Sequence, residues 1–387
     1  MIDNKISPHY TMNVQNIYLS SKPHYEILDG LRGVAAAMVV AFHLLDAHSG
    51  GNHLNQIINH GYLAVDFFFM LSGFVIGYAY DDRWNRMSMG TFFKRRLIRL
   101  QPMVAMGSIV GAALFWFQKA PCYPAMEGVS IGALLLVMLL GCTLLPLPLK
   151  WDIRGWMEMH PLNGPAWSLY YEYIGNILYA LFIRKFSKTA LAVFVAIAAC
   201  FTVHRCLTAP AGDIVGGWAL NWEQQYVGLV RLMYPFFGGL LLSRLGWLIR
   251  TRKNAFWWCS LMIIAVLSVP RIGGEDGYWM NGLYEAFCII CIFPVIVSMG
   301  AGGRITGRRS TAVCKFLGDI SYPVYITHYP LVYIYTAWAF NHQATLAEGL
   351  PYMLLTFVGA FALAYACLKF YDLPVRKWLT ERFLKKK

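Results

Sequence analysis

The chain has 387 residues, 58% of them hydrophobic and only 14% charged, with a mean hydropathy of +0.47. A soluble domain of this length carries about 25% charged residues, so lipid rather than water is expected around most of the surface. The net charge of +13 does not argue for a nucleic-acid partner, because Lys and Arg fall in short clusters between apolar runs and not on one soluble face.

Residues 1–24 are polar and mixed, with no pattern of a cleavable signal peptide, and are expected to form a short cytosolic tail. A helix needs roughly 20 apolar residues to cross about 30 Å of hydrocarbon. Eleven stretches are candidates: 28–47, 61–80, 101–118, 129–147, 167–183, 189–206, 227–243, 255–270, 282–299, 316–340 and 350–370. They leave no room for a soluble catalytic domain.

Basic clusters lie at Lys94-Arg95-Arg96 with Arg99, at Arg184-Lys185 with Lys188, and at Arg250 with Arg252-Lys253. Two more are Arg304 with Arg308-Arg309 and the terminal Lys385-Lys386-Lys387. By the positive-inside rule all of them face the cytoplasm. Loops 47–60 and 341–349 carry no Lys or Arg, and 271–281 balances Arg271 against Glu275 and Asp276, so these read as outside.

Parity then constrains the topology, because three apolar stretches (101–118, 129–147 and 167–183) separate two inside clusters that an even number of crossings must connect. One of the first two is therefore expected not to span, and Pro121, Pro124, Pro146 and Pro148 suit a re-entrant or surface-lying hairpin. Loop 148–166, with Trp151, Trp156 and His160, would lie outside. The expected fold is an all-α integral membrane protein of about ten transmembrane helices plus that hairpin. It forms one membrane domain over 25–378, with a basic tail at 379–387 and both termini cytosolic.

The nine Cys residues are scattered through apolar segments, and Cys288 and Cys291 make a CxxC with no second pair. A disulfide framework or metal site is not expected, and packing is.

Chemistry is concentrated in the first two spans. Arg32 and His43 are separated by ten residues, so eleven steps of about 100° bring them almost onto one helix face. The rise of ~1.5 Å per residue sets them roughly 16 Å apart, with Arg32 near the cytosol and His43 in the membrane interior. That spacing suits a donor entering from the cytosol and presenting its reactive end to His43. The competing reading pairs Arg32 with Asp29 at the interface and leaves His43 as a satisfied core residue. Asp66, buried in an aromatic run of the second span, needs a partner. Orienting or stabilising the His43 imidazolium is one arrangement, and an N-terminal cap or a structural link to another span is the other. Ser72 and Gly73 read as sites of close helix approach.

Further along, Glu172 lies one turn beyond Ser168, where it either binds acceptor hydroxyls from the outer side or braces the fifth span. Ser321, Tyr325 and His328 fall at i, i+4 and i+7 on one face of the tenth span and can line a cavity. The stripe Tyr322, Tyr325, Tyr329 and Tyr333 can equally be packing.

Taken in order, Leu28-Asp29-Gly30-Leu31-Arg32-Gly33 with His43, the run Gly61–Phe74, and Phe93–Pro102 resemble the acyltransferase-3 family of bacterial membrane O-acyltransferases. Trp167-Ser168-Leu169-Tyr170-Tyr171-Glu172, Leu317–His328 and Tyr371-Asp372-Leu373-Pro374 extend the resemblance to about 350 residues. It implies transfer of an acyl group, typically acetyl, from acyl-CoA to a hydroxyl of a cell-envelope glycan or other glycosylated acceptor, in the bacterial cytoplasmic membrane. No permanently bound cofactor is implied, since acetyl-CoA or another acyl-CoA is a substrate.

The family's Arg-x10-His signature maps onto Arg32 and His43, and its Arg-x-x-Arg pattern onto Arg96 and Arg99. Asp372 stands where the family often has Glu. The residues fit this chemistry independently. A hydroxyl is a poor nucleophile near neutral pH and needs a base, for which His43 is suited. Arg95, Arg96 and Arg99 form a patch able to hold CoA phosphates, or else an ordinary positive-inside anchor. Trp167, Ser168, Glu172, Tyr325 and His328 are the expected substrate-binding set.

Two chemical routes are open: His43 as general base for direct transfer, or as carrier of a transient acyl-imidazole. The functional rivals are a proton-coupled secondary transporter, against which no inverted repeat is evident, and a glycan-precursor flippase. With no soluble domain expected after residue 387, the membrane domain or a partner chain must meet the acceptor.

Overall fold

The computed structural model describes residues 22, 24–50, 52, 56–251, 253–274 and 276–384, and every regular element among them is helical. Most of the expected N-terminal tail, Arg252, Glu275 and the terminal Lys385-Lys386-Lys387 lie outside the described residues. In chain order the helices are α1 Glu26–Ser49, α2 Ala64–Tyr80, α3 Met89–Leu114, α4 Ile131–Thr143, α5 Ala166–Leu181, α6 Lys188–Thr208 and α7 Trp222–Leu245. They continue as α8 Ala255–Ser268, α9 Tyr278–Phe287, α10 Phe293–Gly302, α11 Arg308–Thr327, α12 Tyr329–Asn341, α13 Leu346–Cys367 and α14 Leu373–Phe383. Single π-helical segments, Cys288–Ile292 and Leu368–Asp372, join α9 to α10 and α13 to α14.

Local chemistry sets several of the starts. Side chains of Ser88, Ser130, Ser187 and Asn221 accept the otherwise unpaired N–H groups of Thr91, Ala133, Ala190 and Gln224 at the heads of α3, α4, α6 and α7. Thr345 and Glu348 close a capping box on α13. Outward faces stay apolar, with Leu139, Val193, Ile197, Leu354, Leu355 and Val358 exposed.

Seven helical segments among the described residues are long and apolar enough to cross a membrane: Glu26–Ser49, Gly61–Tyr80, Met89–Gln118, Lys188–Thr208, Trp222–Leu245, Tyr278–Gly302 and Leu346–Phe383. The expected count of about ten is not reached by this measure. Helices α4, α5 and α8 have 13, 16 and 14 residues, a rise of roughly 20–24 Å that falls short of the hydrocarbon thickness. Helix α11 has 20 residues but carries Arg308, Arg309, Lys315 and Asp319.

The expected hairpin region becomes the short α4, packed along α3. Helix α3 itself runs unbroken from Met89, taking in the whole Lys94–Arg99 cluster and Pro102. The final helix passes the expected boundary at 378 and ends at Phe383.

Two crossings fix the centre of the bundle, α1 on α11 and α2 on α7. A Cβ on Gly73 would overlap the Phe236 carbonyl, and one on Gly239 would overlap the Met70 carbonyl, so both helices need glycine where they meet. The reading of Gly73 as a close-approach residue is met in this contact.

At one end of the bundle, here the basic end, Asp81 holds Arg244 through both carboxylate oxygens at 2.7 and 3.1 Å. Arg184 lies over Trp84 at the same end, 4.4 Å from the ring centre. At the opposite end the long loops knit together. Met159 N–H donates to the Trp218 carbonyl at 2.8 Å and His60 N–H to the Leu267 carbonyl at 3.0 Å.

The expected tenth span is divided. Pro330 has no N–H to offer the Ile326 carbonyl four residues back, and Asn163 Nδ2 takes that place at 2.9 Å. The α11–α12 joint is thereby pinned to the 144–165 loop, with His328 at the break.

Candidate active site

Helix α1 carries both halves of the Arg-x10-His pattern. Near its start, Arg32 donates from Nε to Ser321 Oγ at 2.8 Å and from Nη2 to Asp29 Oδ1 at 3.1 Å. Asp29 also meets His24 Nδ1 at 2.6 Å. This hydrogen bond raises His24 above its ordinary pKa. Arg32 thus pairs with Asp29, as the competing sequence reading has it, and in addition joins the Ser321 face of α11, which the sequence does not indicate.

Three turns further on, His43 lies beside the α11–α12 joint. Its ring stacks on His328 with centres 5.6 Å apart and planes 24° apart, and meets the edge of Tyr329 at 4.7 Å. Two carbonyls, of Val324 at 3.0 Å and Tyr325 at 2.9 Å, surround His328 Nδ1. Only a donor satisfies both, so Nδ1 carries a proton, and when the ring is neutral Nε2 presents a lone pair. His328 is fully buried and Nε2 has no hydrogen-bond partner among the described residues. A buried, unpartnered acceptor beside a second imidazole is costly unless a ligand completes it.

Two large cavities approach this point from opposite ends. The basic-end cavity, about 660 Å³, is lined by Arg32, Arg96, Arg99, Glu172, Lys315 and Arg376 among others. The far-end cavity, about 850 Å³, is lined by His43, Glu158, Trp156, Trp167, Trp218 and Arg231 among others. Val65 and Tyr325 line both. Tyr325 stands in the partition, its hydroxyl 2.7 Å from Ser168 Oγ and its ring edge-on to Phe68. Arg32 and His43, on one helix, thus open into different cavities.

Several sequence expectations change here. Asp66 does not pair with His43. Arg231 from α7 takes it in a buried ion pair, Nη2 to Oδ2 at 2.7 Å and Nε to Oδ1 at 3.3 Å. Arg231 also donates to the carbonyls of Tyr62 at 2.7 Å and Gly216 at 3.2 Å. Asp66 is therefore consumed in joining α2 to α7.

Glu172 faces the basic-end cavity and not the outer one, because it accepts from Arg96 Nη2 at 2.5 Å and Ser72 Oγ at 2.7 Å. Ser72, expected to serve packing, is instead this carboxylate's donor. Arg95 does not line the cavity that Arg96 and Arg99 share.

The Ser321, Tyr325 and His328 face turns inward as a unit, and the tyrosine stripe divides. Tyr329 lines the far-end cavity. Tyr333 packs on Arg154, whose guanidinium sits 3.4 Å from its ring centre, and donates to Glu158 at 2.5 Å. Asp372 is buried and accepts from Arg376 Nη1 at 3.1 Å.

Sequence reasoning missed Arg231, Arg154, Glu158, Lys315 and Arg376. A lone Arg inside an apolar run, opposite in sign to the lone Asp66, was the available signal for Arg231. Glu158 sits in a loop with no periodicity to read, and burial pushes its carboxyl up to about 8. No group of three or more His, Cys, Asp or Glu that could hold a metal occurs among the described residues.

Residues 25–368 match the family described as an acyltransferase domain, acyltransferase-3. Protein 2 in the picA locus of Rhizobium radiobacter is 32% identical over 168 residues, 42% of this chain and 83% of that protein. Acyltransferase MdmB of Streptomyces mycarofaciens is 24% identical over 79% of this chain and 78% of its own length. O-acetyltransferase OatA of Staphylococcus aureus is 22% identical over 90% of this chain, which spans only 57% of OatA. No solved structure matches. The family match over most of the chain, together with its apolar helices, makes this a multi-pass membrane O-acyltransferase of the acyltransferase-3 family.

Proposed function

We propose that the protein transfers an acyl group, acetyl in the simplest case, from acyl-CoA to a hydroxyl of a carbohydrate or glycosylated acceptor. The basic-end cavity receives the donor from the cytosol, and the far-end cavity receives the acceptor from the outer side. The observation that carries this reading is the pair of cavities meeting at Tyr325, with Arg99, Lys315 and Arg376 on the walls of one and His43 with the indole rings of Trp156, Trp167 and Trp218 on the walls of the other. Guanidinium groups suit phosphates, and flat aromatic surfaces beside carboxylates suit polyhydroxylated rings. MdmB and OatA bear acyltransferase and O-acetyltransferase names, consistent with this class.

The chemistry asks little of the protein beyond placement and one base. His43 takes the acceptor hydroxyl proton as the oxygen attacks the thioester carbonyl carbon, forming the new C–O bond. The C–S bond then breaks, and the departing thiolate of CoA takes the proton back from the imidazolium. His328, fixed by two carbonyls, holds the ring plane against which His43 stacks and keeps a second lone pair at the reaction centre. The bacterial inner membrane, with both termini cytosolic, is the location that this orientation requires.

The test uses purified protein in detergent, acetyl-CoA labelled in the acetyl group, and a panel of glycan acceptors. His43→Ala is expected to lower transfer by roughly 10²–10⁴-fold while folding is retained. His328→Ala should lower it less, through lost positioning. Equal transfer by wild type and His43→Ala would remove His43 from the mechanism. Label bound covalently to wild type without acceptor would redirect the route through an acyl-imidazole. Glycan movement that survives His43→Ala would favour a flippase.

A further inference from the structure

The cations lining the basic-end cavity are not equivalent. Arg32 is committed to Asp29 and Ser321, and Arg96 to Glu172. Both neutralise their charge inside the fold and hold helices together. Arg99, by contrast, has no ion-pair or hydrogen-bond partner among the described residues, though it lines the same cavity. Lys315, exposed on α11, likewise has none. Arg376 on α14 uses one N–H on Asp372, and its remaining donors stay available at the cavity wall.

These three come from α3, α11 and α14, three separate walls of one cavity. Among the described residues they make a single ion pair, Arg376 with Asp372, so the trio keeps a net positive charge. Glu26, Asp29, Glu172 and Asp319 line the same cavity, so it is not cationic throughout. What suits a ligand with several phosphates is the set of donors left over on three walls, the heads of Arg99 and Lys315 and the spare N–H groups of Arg376, each guanidinium offering a fork to phosphate oxygens.

Resting on the donor assignment above, we infer that Arg99, Lys315 and Arg376 bind the nucleotide phosphates of the acyl-CoA. Arg32 and Arg96 are positioning residues that shape the passage for the thioester arm. The two arginines of the Arg-x-x-Arg pair then have separate roles, with Arg99 contacting phosphate and Arg96 orienting Glu172 and α5. The C-terminal helix joins in donor recognition, with Asp372 setting the Arg376 side chain.

Two donors separate the roles. Acetyl-CoA carries the nucleotide phosphates, whereas S-acetyl-pantetheine presents the same thioester and arm without them. Wild type is expected to prefer acetyl-CoA in kcat/KM. Arg99→Gln, Arg376→Gln and Lys315→Gln should each lower kcat/KM for acetyl-CoA by roughly tenfold or more, acting through KM. Their loss should be confined to the phosphate-bearing donor. Arg96→Gln should lower both donors alike.

Binding of adenosine bisphosphate to the same preparations, compared by size exclusion for folding, should weaken in the Arg99, Arg376 and Lys315 variants and persist in Arg96→Gln. Equal loss with both donors, unchanged kcat/KM, or a wild type indifferent to the phosphates would overturn the inference while leaving the transferase reading intact. A wild type that uses neither thioester would overturn the donor assignment and this inference with it.

Discussion

The Asp66–Arg231 pair gives the sharpest test of how this fold uses its buried charge. Asp66 is 0% and Arg231 2% exposed, so solvent does not screen the interaction. Asp66→Asn keeps the volume and one acceptor but leaves the guanidinium uncompensated. Removing one partner of a buried ion pair costs about 3–5 kcal/mol. For a chain of this size the melting temperature should fall by about 4–6 °C.

The double variant Asp66→Leu with Arg231→Met removes both charges but orphans the carbonyls of Tyr62 and Gly216 that Arg231 now serves. At roughly 1–3 kcal/mol for each buried carbonyl left without a donor, it should recover only part of the loss. The assay is thermal unfolding in detergent followed by size exclusion, run beside acetyl transfer. A melting temperature like wild type combined with collapsed turnover in Asp66→Asn would refute the structural assignment and return Asp66 to the chemistry of His43.

Two more outcomes follow from the packing and the loops. Gly73→Val should prevent α2 and α7 from meeting, because the added atoms fall on the Phe236 carbonyl. Loss of monodisperse protein, compared with an exposed-site control such as Val193→Leu, checks it. Glu158 has its pKa raised by burial from 4.5 to about 8, so between those values the folded state holds a proton that the unfolded state has released. Its contribution is fully present below pH 4.5 and is lost as pH rises through about 8. Glu158→Gln should therefore flatten the fall of thermal stability over that window, and an unchanged pH profile would contradict the burial argument.

Much of the fold was legible because bilayer physics writes itself into composition: apolar length, basic clusters and helix caps are local properties. The failures have equally physical origins. The 316–340 run reads as one span by hydropathy, yet Pro330 removes a donor and a distant Asn163 replaces it. The α2–α7 and α1–α11 crossings depend on glycines whose partners lie far away in sequence, as Gly73 and Phe236 do. Helical phase placed Arg32 and His43 on one face, and both do turn into cavities. Phase could not reveal that these are two cavities, because the partition at Tyr325 belongs to another helix. Nor could it assign Asp66, since depth along a span does not say which neighbour is adjacent.

That distinction between partnered and unpartnered polar groups organises the interior. Asp66 with Arg231, Asp81 with Arg244 and Glu172 with Arg96 are satisfied, and satisfied charge holds helices at fixed angles. His328 Nε2 and Arg99 are polar groups without partners among the described residues, and each belongs to the region where the two cavities converge or to a cavity wall. Leaving such groups unmatched costs free energy that packing elsewhere must offset. A ligand that supplies the missing partner binds with that cost already met by the fold. The reacting hydroxyl can complete the imidazole pair, and phosphate can complete the guanidinium. If the proposed transfer holds, the acceptor supplies a donor that His328 Nε2 lacks and the acyl-CoA supplies an acceptor that Arg99 lacks. On that proposed reading, the thioester arm is the only part of the donor that has to reach past Tyr325.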